Sequence, residues 1–217
     1  TQKTDALGII TQYRYDNRGN MTEQIRDANG KAYRTTYEYD SAGHQLLVRR
    51  ANPQGIAAVT RYEYDALGRV IARCDNPDSY ASTTHYTYNA NNQVIATTLP
   101  NGHTTHTLYN ANGQCRFSIA ADGSITETRY DSANRAYQTR VYATPMQCTN
   151  SSPSEAAVLA HIAKFDDANT QISTRDFDDR DRVRYSIDAS GYVRSYRYDA
   201  NGNVIEKRTF SERLASL

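Results

Sequence analysis

The phrase YRYDNRGN at residues 13–20 returns as YRYDANGN at residues 196–203, and variants of it fill the interval. Aligned on the second aromatic, the copies fall at Tyr15, Tyr39, Tyr64, Tyr88, Tyr109, Tyr130, Phe177 and Tyr198. The steps between them are 24, 25, 24, 21, 21, 47 and 21 residues. A period in the twenties is the mark of a repeat architecture, in which each unit leans on its neighbours. The doubled step marks an insertion. Residues 1–217 therefore read as one segment of about eight repeats, interrupted at 144–173.

Within a unit the residues alternate. Tyr13 and Tyr15, Tyr37 and Tyr39, Tyr62 and Tyr64, Tyr86 and Tyr88, and Tyr196 and Tyr198 each fall two apart, which places both members on one face of a β-strand. The next residue is Asp16, Asp40, Asp65, Asp131, Asp178 or Asp199, or its uncharged analogue Asn89 or Asn110. A side-chain oxygen there can accept from the backbone N–H groups ahead of it and so fix a type I turn. The fourth turn position then requires positive φ, as in a hairpin closed by a G1 bulge. It holds Gly19, Gly43, Gly68, Gly113 and Gly202, and where glycine is absent it holds Asn92, Asn134 and Asp181. Those are the types that best tolerate a left-handed backbone. These substitutions favour turn caps over catalytic acids, and at Gly68 they predict that valine harms folding while asparagine does much less harm.

A second turn lies half a period away: DALG at Asp5, DANG at Asp27, NPQG at Asn52, NG at Asn101, DG at Asp122 and DASG at Asp188. Each unit is then strand, turn, strand, opposite turn. The expected fold is all-β, an antiparallel hairpin repeat array of some sixteen strands. Segments such as RVIAR and NVIEK supply Val and Ile opposite the tyrosines, and the arginines and acids between them read as solvated faces.

Composition agrees. Leu, Ile, Val and Phe make up roughly 16% of the chain, below the level at which a dense core is expected, but 18 Tyr add apolar surface and the net charge is only +1. That charge draws the chain toward neither nucleic acid nor anionic membrane, and no apolar run is long enough to span a bilayer as a helix. Because the chain opens with Thr inside a repeat and without an apolar leader, it reads as a fragment of a larger protein.

In the insertion the period changes. Val158, Ile162 and Phe165, flanked by Leu159, form a helical stripe. Ser152, Pro153 and Glu155 have the spacing of a capping box, which predicts one short helix over Pro153 to Phe165, lying against the sheet.

Other constellations point to no chemistry. Cys74, Cys115 and Cys148 are odd in number and lack metal-ligand spacing. His103 and His106 stand three apart, which on a strand means opposite faces. The acids Asp176, Asp178, Asp179 and Asp181 lack the glycine and distal glutamate of a calcium loop. NSS at Asn150 is a formal glycosylation sequon. The expectation is no enzyme, no catalytic or metal-binding residue and no cofactor.

The YxYDxxG unit with a second turn half a period away resembles the YD repeat of the Rhs family, shared by bacterial polymorphic toxins, toxin-complex B and C components, wall-associated proteins and animal teneurins. The resemblance covers almost the whole chain. It implies a spiral sheet forming a hollow shell around a toxin or effector, in a large secreted or cell-surface bacterial protein. The self-cleaving protease that often ends such shells carries DPxG, and no DP occurs here. The resemblance implies as partners the rest of the parent shell and an encapsulated toxin segment, with no nucleic acid and no membrane insertion. A rival reading is a carbohydrate- or receptor-binding adhesion module that stacks glycans on exposed tyrosines. A wall cut from its parent is expected to be an open sheet that associates through its edges or hides them with its terminal segments.

Overall fold

A computed structural model describes residues 1–55, 57–77, 82–148, 151–165 and 169–213. Asn150 lies outside the described residues. The chain divides into two compact units, Thr1–His103 and Thr104–Leu217. The first contains β1 (Gln2–Thr4), β2 (Ile10–Tyr15), β3 (Met21–Arg26), β4 (Tyr33–Tyr39), β5 (Gln45–Ala51), β6 (Ala57–Tyr64), β7 (Val70–Asp75), β8 (Ser82–Tyr88) and β9 (Val94–Thr98). The second contains β10 (Thr104–Tyr109), β11 (Cys115–Ile119), β12 (Ile125–Tyr130), β13 (Ala136–Tyr142), α1 (Glu155–Phe165), β14 (Gln171–Phe177), β15 (Val183–Ile187), β16 (Tyr192–Tyr198) and β17 (Val204–Arg213). In each unit every strand pairs antiparallel with the next in sequence, so each is an all-β meander.

The turns follow from the letters of the repeat. Gly19 N–H donates to Asp16 O at 3.2 Å, and Asp16 N–H to Asn20 O at 2.9 Å. Asp16 Oδ1 accepts from the N–H groups of Arg18 and Asn20 at 2.9 and 2.8 Å. The fourth-position glycines have φ between 78° and 90°, and Asn92, Asn134 and Asp181 have φ of 62°, 63° and 61°. On the opposite side Gly8, Gly55, Gly102, Gly123 and Gly191 also have positive φ. Gly30 does not. The loop from Asp27 is longer and closes from Ala32 N–H to Asp27 O at 2.8 Å, with positive φ at Asp27 and Ala32 instead.

All eight repeats carry a second irregularity. The register slips by one residue just before the motif aromatic, as where Arg14 faces Glu23 but Tyr15 faces Met21. One residue of the returning strand is left over. In order along the chain it is Thr22, Leu46, Ile71, Ile95, Arg116, Tyr137, Arg184 and Ile205. Such a bulge bends its strand and re-aims the side chains beside it.

Dense burial is local. In the second unit Phe117, Ile119, Ile125 and Val158 are fully inaccessible and cluster with Tyr142. The helix forms one wall of this cluster through Val158 and Ile162. Leu159 and Phe165, placed by the periodicity on the same stripe, are exposed, because a helix this short rests on the sheet along one narrow line. Phe165 instead meets the His161 ring at 4.8 Å. The helix begins at Glu155, two residues later than Pro153, and its cap is Ser154, whose Oγ accepts from Ala157 N–H at 3.2 Å. Ser152 is not the cap because its hydroxyl meets His106 Nδ1 at 3.1 Å. The insertion also ends earlier than 173, since Gln171, Ile172 and Ser173 already belong to β14, with Val141 facing Gln171.

In the first unit Ile25, Leu47, Val48, Val59, Ala72 and Ala96 are buried in a ladder along the strands. Glu23 is buried among them with Arg34 Nη1 at 2.9 Å. Arg14 Nε sits 3.2 Å from its other oxygen, an ion pair without a hydrogen bond.

A Cβ on Gly202 meets nothing within 4 Å, whereas one on Gly68 meets His44 Nε2 at 2.7 Å. Gly202→Asn is therefore expected to cost less than about 0.5 kcal/mol and Gly202→Val more than about 1 kcal/mol in urea denaturation. Any side chain at Gly68 adds the His44 contact, so Gly68→Asn should cost clearly more than Gly202→Asn while still costing less than Gly68→Val, and His44→Ala should recover part of the difference.

Candidate functional site

The repeat letters converge on the junction between consecutive units. The turn acid uses one oxygen to close its own turn and turns the other toward the residue after the fourth position. Asp16 Oδ2 accepts from Asn20 Nδ2 at 2.9 Å, Asp65 Oδ2 from Arg69 Nε at 2.7 Å, Asp131 Oδ2 from Arg135 Nε at 2.8 Å and Asp178 Oδ2 from Arg182 Nε at 2.8 Å. Asp40 pairs with His44 Nδ1, and Asp199 with Asn203 Nδ2, both at 2.9 Å. Where the acid is replaced, the polarity reverses: Asn89 Nδ2 donates to Gln93 Oε1 at 3.0 Å, and Asn110 Nδ2 to Gln114 Oε1 at 3.1 Å. A carboxylate is matched with a donor and an amide with an amide.

That partner then reaches the next unit. The His44 ring stacks on Tyr64 with centroids 4.9 Å apart. The guanidinium carbons of Arg69, Arg135 and Arg182 lie 4.7, 4.8 and 4.5 Å from the ring centroids of Tyr88, Phe177 and Tyr198. Partly desolvated contacts of this kind contribute about 0.5–2 kcal/mol. Arg69 Nη1 also donates to Asn89 O at 3.2 Å and Arg182 Nη1 to Asp199 O at 3.2 Å, while Gln114 Nε2 donates to Asn134 O at 2.9 Å.

The tyrosines return the link. The hydroxyls of Tyr39, Tyr64, Tyr88, Tyr130 and Tyr198 donate to the carbonyls of Met21, Gln45, Val70, Cys115 and Val183 at 2.7–2.9 Å. Each acceptor opens the returning strand of the preceding unit, next to the bulge. Each bond contributes about 1 kcal/mol net. Phe177 has no hydroxyl to return the link but lies under Arg135, and Tyr15, in the first repeat, is half exposed. Tyr13, Tyr37, Tyr62, Tyr86 and Tyr196 stand one step back along the same strands and are half-buried, as is Tyr109.

Hydrogen bonds and neighbouring cations hold the turn acids below the usual carboxylate range. Asp16, Asp40 and Asp199 are lowered chiefly by the side-chain bonds from Asn20, His44 and Asn203, and Asp65 and Asp131 chiefly by the N–H groups of Arg69 and Arg135. Asp178 is lowered to about 2, chiefly by Arg182.

Three of the four acids weighed as a calcium site are engaged by arginines: Asp176 with Arg184, Asp178 with Arg182 and Asp181 with Arg135, each at 2.7 Å. No metal-holding cluster of His, Cys, Asp and Glu occurs among the described residues. A separate polar cluster lies beneath the insertion. Tyr142 Oη donates to buried Glu127 at 2.7 Å, Arg129 Nε pairs with the same carboxylate at 3.0 Å, and Arg116 reaches both Glu127 and Glu155 of the helix. Burial, with Glu127 beside it, raises the Tyr142 hydroxyl to about 12 and keeps it a donor.

Bulged hairpins locked unit to unit through a turn acid, its partner and the next aromatic define a β-hairpin repeat protein. Residues 1–32 and 177–212, about a third of the chain, match the RHS Repeat family model. A crystal structure of TcdB2-TccC3 without its hypervariable C-terminal region superposes with a TM-score of 0.65 at 15% identity, covering 96% of this chain. At that identity the likeness establishes the fold, and this chain spans only 11% of that protein's length. The pore of the Photorhabdus luminescens Tc holotoxin matches at 12% identity over 96% of this chain and 14% of its own, with a TM-score of 0.46. No curated protein matches the chain.

The lowered turn acids predict an acid transition. A carboxylate bound less tightly by protons when folded adds stability that is fully present above the unfolded pKa, near 4, and is lost as pH falls through the folded value, about 2 for Asp178. Thermal melts should therefore show Tm falling from about pH 5 to about pH 2. Asp178→Asn should lower Tm at pH 7 by placing an amide donor against Arg182. Adding Arg182→Gln, which recreates the Asn89–Gln93 pairing, should recover more than half of the loss.

Proposed function

We propose that this chain is a non-enzymatic length of wall in an Rhs/YD-repeat shell that encloses or presents a toxin or effector segment of a large secreted or surface bacterial protein. In this reading the chain carries about eight repeats of a longer array, and its partners are the adjoining wall and the enclosed segment. The observation that carries the reading is the junction itself. Side-chain chemistry at the motif positions is spent on holding one unit to the next, which is what a wall needs and a binding site does not. The fold likeness to a crystal structure of TcdB2-TccC3 supports the same reading.

The adhesion reading has less support. Stacking a sugar requires an open ring face and benefits from a free hydroxyl. The rings of Tyr64, Tyr88 and Tyr198 are covered by His44, Arg69 and Arg182, and their hydroxyls are bonded to backbone.

Limited proteolysis of the full-length protein containing this array tests the proposal. The enclosed segment should survive a protease dose that destroys the same segment made alone, and equal digestion of the two would contradict the shell. On a glycan array the chain should give no reproducible signal. A signal lost on changing exposed Tyr15, Tyr33 or Tyr185 to Ser would favour the adhesion module instead.

A further inference from the structure

The dry patch beneath α1 has a counterpart in the same unit. Phe117 and Ile119 stand eight and ten positions after the motif aromatic Tyr109, and Ile125 and Tyr142 stand five before and twelve after Tyr130. The same offsets from Phe177 and Tyr198 give Tyr185, Ile187, Val193 and Phe210. Strand register agrees: Ile119 faces Ile125 as Ile187 faces Val193, and Ile125 faces Tyr142 much as Val193 lies beside Phe210, next to the Arg194–Thr209 pair. At every other junction in the sequence at least one of the four offsets carries a polar side chain. The bulged residue matches too. Arg116 lies 5.0 Å over the Phe117 ring, and Arg184 lies 5.4 Å over the Tyr185 ring.

The two patches differ in what covers them. Phe117, Ile119 and Ile125 are sealed by Val158 of the helix, whose first-turn Glu155 pairs with Arg116. Tyr185 and Phe210 are 41% and 45% exposed. Around them Arg197 and Arg208 share one carboxylate, Glu206, at 3.1 and 2.5 Å, which leaves a cationic surplus at the rim. A depression of about 430 Å³ opens there, bordered by Arg184, Tyr185, Arg197, Arg208 and Phe210.

We propose that Tyr185, Ile187, Val193 and Phe210 form a second helix dock. Its occupant is a short amphipathic helix of a partner polypeptide, with a carboxylate in its first turn and a β-branched aliphatic residue one turn later. The carboxylate meets Arg197 and Arg208, with Arg184 beside them already paired to Asp176, as Glu155 meets Arg116 beside Glu127, and the aliphatic residue seals the ring pair as Val158 does. The assignment rests on repeat geometry and charge, not on the shell reading.

The probe is a fluorescein-labelled peptide of residues 151–165, held helical by a bridge between exposed positions 156 and 160, titrated with the intact chain and followed by fluorescence anisotropy. Saturable binding is expected, at least tenfold weaker for Tyr185→Ser and Phe210→Ser chains and for a peptide carrying Glu155→Lys, and unchanged for Leu46→Ser. Circular dichroism identifies variants that fail to fold, and Arg184→Glu, a surface change, then supplies the same comparison. No saturable binding would overturn the proposal. So would binding indifferent to Tyr185 and Phe210, the signature of a peptide displacing the chain's own helix. Light scattering that showed a dimer dissociated by Tyr185→Ser would also overturn it, by making a second copy the occupant.

Discussion

Everything in the fold follows from the left-handed residue at the fourth position of each YD turn. With φ near +60° to +90° the chain reverses in four residues and re-enters the sheet with its next side chain beside the turn acid. That side chain, Asn20, His44, Arg69, Gln93, Gln114, Arg135, Arg182 or Asn203, is thereby fixed where it can satisfy the acid or amide behind it. In three arginine units and at His44 it also covers the aromatic ahead. One backbone requirement thus sets turn, phase and coupling together.

Such a scheme needs little core. Stability comes from many local increments, each a cap, a hydroxyl-to-carbonyl bond or a ring covered by a cation, and each contributes about 1 kcal/mol or somewhat less. Repeat proteins are held in this way, by terms within units and between nearest neighbours. Tyrosine suits the task because its ring fills space between strands while its hydroxyl reaches the preceding unit. Phe177 shows the limit: it has no hydroxyl for the preceding unit, though Arg135 still covers its ring. The helix-covered cluster at Phe117, where Phe117, Ile119, Ile125 and Val158 are fully buried together, is the dry exception to this wet construction.

Much of this was legible in the letters. The substitution of glycine by Asn92, Asn134 and Asp181 betrays a φ requirement, and the second turn is visible at Asp5, Asn52, Asn101, Asp122 and Asp188. Two features left fainter traces. Adjacent apolar residues at Leu46–Leu47, Val70–Ile71 and Val94–Ile95 break the strand alternation, and they mark the bulge. The relay shows as a paired change, Asn89 with Gln93 and Asn110 with Gln114, against acids followed by donors elsewhere. Tertiary contacts decided the rest. Ser152 and Ser154 are both plausible caps by local rules, and the bond to His106 takes the first out of competition. Polar Gln171 and Ser173 look like loop, but pairing with β13 makes them strand.

The central claim is that the residue after each turn couples its unit energetically to the next. A double-mutant cycle on Arg69 and Tyr88 measures this directly, with Arg69→Gln, Tyr88→Leu and the pair compared by urea denaturation. The account predicts a coupling energy of about 0.5–1.5 kcal/mol between residues whose side chains meet only across a unit boundary. Additivity within about 0.3 kcal/mol would mean that the units stand side by side without this link, and would contradict it.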